Sequence, residues 1–129
     1  MPKFEFNKLI RNNLRSEYEK MGQKATYRKL SKEEFSEALK QKLLEEACEI
    51  DTKDRQSVVN ELADVYQVIE DMMDLNGVSL EEVVKVKDTK FQKKGGFSEA
   101  AYVEILELDT DDEWNEYYRK QPDVFKELS

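Results

Sequence analysis

The stretch Leu43 to Asp64, LLEEACEIDTKDRQSVVNELAD, places Glu45, Glu46 and Glu49 before a polar break and Glu61 and Asp64 after it. Wound at about 100° per residue, the first half carries an apolar stripe from Phe35, taken as zero, through Leu39 at about 40° and Ile50 at about 60° to Leu43 at about 80°. Glu46 falls at about 20°, inside that stripe, and is predicted to point inward. In the second half, with Val58 as zero, Val68 lies at about 280° and Met72 at about 320°, and Glu61 sits between them at about 300°. Glu49 and Asp64 follow one turn on, so each segment offers an i, i+3 acid pair near the edge of its apolar face. A chain reversal at Asp51 to Arg55 sets Glu46 level with Glu61. The pattern therefore predicts a helical hairpin in which Glu46, Glu49, Glu61 and Asp64 converge.

Several like charges within a few ångströms strongly disfavour ionisation, so such a cluster calls for a cation. Carboxylate oxygens are hard ligands that suit Mg²⁺ or Mn²⁺, and Mg²⁺ fills its remaining positions with water and phosphate oxygens. Phosphate is the substrate group this chemistry selects. On a single helix, acids three apart usually mark a solvated face. Here two such pairs enter apolar stripes at matching heights of one hairpin. A ferritin-like di-metal site is excluded, because its Glu-x-x-His pairs need histidine and the chain has none. The same absence removes Ser-His and Cys-His nucleophiles, histidine-ligated zinc and histidine acid/base catalysis.

With 129 residues, the chain fits one domain whose apolar helix faces call for a second subunit. Its formal net charge of -8 argues against non-specific nucleic-acid binding, which needs a basic footprint. No apolar run is long enough to span a bilayer and no leader pattern precedes the domain, so no membrane association is expected and a cytoplasmic location is read. Cys48 is the only cysteine, which rules out an internal disulfide; it is expected to be a partly buried, ordinary thiol.

Along the chain, Asn7 to Met21 suits a short helix ending at Gly22, and Ala25 to Leu30 suits a short extended piece. Ser31 with Glu34 is a capping-box signature that opens a helix to about Ile50. The break DTKDR supplies caps for a second long helix, about Gln56 to Leu75, that stops at Asn76-Gly77. Ser79 with Glu82 starts a third, running to about Phe91, and Lys93-Lys94-Gly95-Gly96 breaks it. The apolar run Tyr102 to Leu108 is readable as helix or strand. From Asp109 the tail is expected to form a short helix with Asp caps, with Trp114, Tyr117 and Tyr118 on one side and an interruption at Pro122.

LLEEACE followed by NELADVYQVI resembles the MazG-type all-α nucleoside triphosphate pyrophosphohydrolases, which include phosphoribosyl-ATP pyrophosphohydrolase. FNKLIRNNL, YRKL and KFQKKGGF look like segments of the compact, house-cleaning members of that group. The resemblance covers roughly Phe4 to Phe97. It implies an all-α bundle of about four helices per chain, completed by oligomerisation as a homodimer or dimer of dimers, with an irregular N-terminal segment. On that basis residues 1 to 106 are taken as the enzyme domain and 107 to 129 as a helical extension. It also implies hydrolysis of a nucleoside triphosphate, canonical or not, to the monophosphate and pyrophosphate, with Mg²⁺ (or Mn²⁺) on Glu46, Glu49, Glu61 and Asp64. The chain departs from the pattern at Arg11-Asn12-Asn13-Leu14-Arg15, where compact relatives tend to have Arg-Asp-Lys-Ile-Pro, and the tail after Leu108 has no counterpart.

In the implied mechanism the metal bridges phosphate oxygens and activates a water. Glu45 or Glu49 takes the water proton, and Glu45 is alternatively a ligand to a second metal. Lys42, beside Glu46 and Glu49 on the wheel, reads either as their ion-pair partner or as a phosphate contact. Lys87, Lys90 and Lys94, ending at Gly95-Gly96, read either as a phosphate-binding cluster or as a solvated face. Arg11 has the same two readings. The competing account of the whole chain is a non-catalytic helical oligomer, an interaction or regulatory module that keeps the acids as a structural metal site.

Overall fold

A computed structural model describes the whole chain, residues 1–129. It is all-α: α1 (Leu14–Lys20), α2 (Lys32–Cys48), α3 (Arg55–Asn76), α4 (Leu80–Lys94) and α5 (Trp114–Arg119), with no strand. The chain divides into two compact units, Met1–Gln92 and Lys93–Ser129.

In the first unit, α2 and α3 are the helices that pack along their lengths. Their ends are set by local chemistry. The Ser31 hydroxyl accepts from the Glu34 amide, and the Glu34 carboxylate accepts from the Ser31 amide, a reciprocal cap that satisfies two otherwise unpaired donors at the start of α2. Asp54 caps α3 by accepting from the Ser57 amide at 2.8 Å. Gly77 ends α3 at φ 63°, a left-handed conformation that costs a side chain dearly and glycine nothing. Ser79 and Glu82 repeat the reciprocal cap at α4.

The six residues Glu49 to Asp54 fold α3 back on α2. This brings Leu75 and Asn76 at the end of α3 beside Lys32, Glu33 and Ser36 at the start of α2. The inward stripe of the hairpin is thin: Leu39 of α2 and Val68 of α3 are its buried apolar residues. On the opposite flank of α3, Val59, Leu62, Tyr66 and Ile69 recur at i, i+3, i+7 and i+10 and are all exposed. An amphipathic helix has one such stripe, whereas α3 has two.

Three sequence expectations are corrected. The first helix begins at Leu14 rather than Asn7, since Asn7 sits at φ 47° and breaks the helical path. Residues 25–30 are non-helical, and Tyr27 lies under the Arg15 guanidinium at 4.5 Å. Cys48 is exposed rather than partly buried, because it is the last residue of α2 and lies off the hairpin's inward stripe. The third helix continues to Lys94, where Gly95 at φ 77° stops it.

The second unit contains α5 and an aromatic cluster. Trp114 and Tyr117 meet edge to face at 5.2 Å between centroids, and Tyr118 and Phe125 do so at 4.8 Å. Arg119 holds Glu127 through its Nε and Nη2. Asp112 accepts from the Trp114 amide at the start of α5. Residues 101–108 are neither helix nor strand.

Candidate metal centre

The acids of α2 and α3 meet where the hairpin begins. One carboxylate oxygen from each of Glu46, Glu61 and Asp64 lies within 4.8 Å of the others, and all three side chains are half-buried. α2 supplies the first and α3 the other two, three residues apart and hence on one face. Glu49 stands outside this trio. It is the C-terminal cap of α2, exposed, one residue past the last helical position. Its charge is nevertheless felt at the centre.

Glu46 lies deeper than Glu45 or Asp64, with a side chain 14% exposed against 30% and 33%. Burial, and then the neighbouring charge of Glu49, raise its carboxyl above the ordinary glutamate value, with Asp64 adding to the repulsion and Lys42 opposing it. Lys42 reaches Glu46 at 3.6 Å and Glu45 at 3.4 Å. Glu45 is governed by the opposite balance. Burial alone would raise it, but the hydrogen bond from Lys8 and the charges of Lys42 and Lys8 together hold it below the ordinary range. Both lysines engage Oε1 of Glu45, which leaves Oε2 without a protein donor.

The segment before α1 lies against these acids. Arg11 Nη2 donates to Asp64 Oδ1 at 2.7 Å, and Lys8 Nζ donates to Glu45 Oε1 at 3.2 Å. Between them Leu9 and Ile10 are half-buried. Of the basic residues read from the sequence as substrate contacts, Arg11 and Lys42 are thus at the acids. Lys87 pairs instead with Asp88 at 2.9 Å. Lys87 and Lys90 border an open groove on α4 with Val78, Glu82, Val83 and Val86, and neither is hydrogen-bonded to an acid of the centre. Lys94 is exposed at the last position of α4.

Lys8 is the residue at this centre that the sequence reading passed over. The signal was there: Lys8 and Arg11 flank the aliphatic pair Leu9-Ile10, so a segment that lodges those two apolar side chains carries two cations with it. A helix assumed from Asn7 hid that arrangement.

Compared with family models, curated proteins and solved structures, the chain matches none. No helix is long and apolar enough to cross a membrane.

Proposed function

We propose that the protein is a divalent-metal-dependent hydrolase that cleaves a nucleoside triphosphate to the nucleoside monophosphate and pyrophosphate. The observation that carries this reading is the meeting of Glu46, Glu61 and Asp64 from two facing helices, half-buried and within 4.8 Å of one another. A cation there would offset the charges of Glu49 and Asp64, which add to burial in raising the Glu46 carboxyl. The similarity of LLEEACE and NELADVYQVI to MazG-type enzymes supports the same reading from the sequence.

The donor set fits the metal. All donors are hard carboxylate oxygens, as Mg²⁺ and Mn²⁺ prefer, and in an octahedral shell of about 2.1 Å radius neighbouring oxygens lie about 3 Å apart and opposite ones about 4.2 Å. Side-chain adjustments of about an ångström bring the trio into that range. Glu46, Glu61 and Asp64 would hold the ion, with Glu49 able to swing in from the end of α2. When bound, such an ion polarises phosphate oxygens and lowers the pKa of a water.

The remaining roles fall to the chain. Glu45 is ionised at neutral pH and keeps Oε2 open, so it is the carboxylate best placed to take a proton from an attacking water; Glu49 is the alternative. Lys42 and Arg11 offset the charge of a polyphosphate arriving at an acidic protein. The α4 lysines Lys87, Lys90 and Lys94 are assigned to phosphate by their clustered charge and the Gly95-Gly96 turn that follows them.

The working unit is read as a homo-oligomer, a dimer or dimer of dimers, because the exposed stripe Val59, Leu62, Tyr66 and Ile69 has the spacing of a helix–helix seam. The test is pyrophosphate release from a panel of ordinary and modified nucleotides with Mg²⁺. Turnover lost in Glu46→Ala and Glu61→Ala is the expected result. A protein that turns over none of them, or mutants as active as the wild type, leaves the non-catalytic module as the better account.

A further inference from the structure

The segment Asn7 to Arg11 is held on the hairpin by few contacts. Arg11 pairs with Asp64 at 2.7 Å, Lys8 pairs with Glu45 at 3.2 Å, and Leu9 and Ile10 are only half-buried between them. The path is turned by Asn7 at φ 47°, and it carries no helical hydrogen bonds of its own until α1 begins at Leu14. Both arginine and aspartate side chains of the tighter pair retain solvent contact, so the pair exchanges readily with water and ions.

Asp64 is also one of the three acids of the candidate metal centre. A guanidinium and a divalent cation that share one small carboxylate repel each other, and the repulsion is stronger than in bulk water because the acids are half-buried. The cation with the least to hold it is then Arg11, whose side chain is 58% exposed and whose acid partner is the one the ion takes.

We propose that the Asn7–Arg11 segment is an internal competitor for the metal centre: Arg11 stands in for the cation on Asp64, and a divalent ion that binds Glu46, Glu61 and Asp64 displaces it and loosens the segment. This rests on the metal reading of the site and adds a regulation to it. Metal affinity and the docking of the N-terminal segment are linked quantities, each opposing the other. A guanidinium that merely oriented Asp64 for the metal would have the reverse linkage, since its removal would weaken metal binding.

The experiment uses Mn²⁺ alone as the probe, with the full chain. Affinity is measured by isothermal titration for the wild type and Arg11→Gln, and backbone hydrogen exchange of residues 5–12 is followed in the wild type with and without Mn²⁺. Removing the competitor is expected to tighten Mn²⁺ binding by roughly threefold to tenfold, the scale of one partly exposed ion pair beside a divalent ion. Mn²⁺ is expected to speed exchange in residues 5–12 of the wild type. Unchanged or weaker binding by a folded Arg11→Gln, or exchange in the segment that Mn²⁺ leaves unaltered or slows, overturns the proposal. Should Arg11→Gln fail to fold, the exchange measurement decides alone. Wild type that binds no Mn²⁺ removes the metal centre itself, whereas wild type that binds Mn²⁺ with the segment undisturbed removes only the competition.

Discussion

At the scale of single residues, the two inward acids were legible because helical winding and apolar content agree: Glu46 and Glu61 each fall between apolar neighbours of their own stripe, and the structure brings them together. Glu49 was read on the assumption that the same winding continued past it. The helix ends at Cys48, so Glu49 acts on the centre through its charge from outside the trio. The contacts of Lys8 and Arg11 were not legible, because ion pairs across 37 and 53 residues leave no periodic trace. A local acid gives a sharper expectation. Arg28 donates to Glu34 at 2.9 Å and the Ser31 amide donates to its other oxygen, which together lower its carboxyl from 4.5 to about 2. A carboxyl lowered in the folded state adds stability that is complete above its ordinary value and is lost as pH falls toward the lowered one. Glu34 should therefore titrate with a midpoint about 2 in a carboxyl-carbon NMR experiment. In Arg28→Ala the midpoint should rise toward, but not reach, 4.5, because the Ser31 amide remains; a midpoint unmoved by that substitution would assign the shift elsewhere.

At the scale of elements, boundaries were read well wherever a side chain closes the backbone's open hydrogen bonds. Ser31 with Glu34, Asp54 with Ser57, Ser79 with Glu82 and Gly77 each mark an end by chemistry that the sequence displays. Where no cap exists, as before α1, a plausible apolar spacing overran the true start by seven residues, from Asn7 to Leu14. The run Tyr102 to Leu108 has apolar content without a regular period and adopts no regular structure. Caps of this kind carry measurable energy. Asp54→Ala should lower unfolding free energy by about 1 kcal/mol in urea titration, and Asp54→Asn should recover most of it. Equal losses in both variants would mean that the charge of Asp54, rather than its bond to the Ser57 amide, is what matters.

At the scale of the molecule, the helices were readable from caps and periodicity and the all-α class was implied by the family resemblance, but the extent of burial was not legible. A folded monomer of 15.2 kDa exposes about 7,100 Å² by the usual scaling, whereas this chain exposes 12386 Å². Periodicity shows that a face is apolar but not whether the same chain or another covers it. Leu39 and Val68 are covered within the hairpin, while the outer stripe of α3 is not. The whole-molecule expectation is self-association at micromolar concentration, seen by sedimentation. Leu62→Glu, in the middle of that stripe, should shift the protein to the monomer and lower its melting temperature. The same substitution should cost little if Leu62 faces only water, and a monomeric wild type would remove the seam.

The central claim, that the acids of α2 and α3 serve cleavage of a triphosphate, is tested most directly by the products. Phosphorus NMR of a nucleoside triphosphate incubated with the protein and Mg²⁺ should show pyrophosphate and monophosphate appearing in equal amounts. That turnover should vanish in Glu61→Ala. Orthophosphate as the product, or no turnover of any nucleotide in the panel, would contradict it.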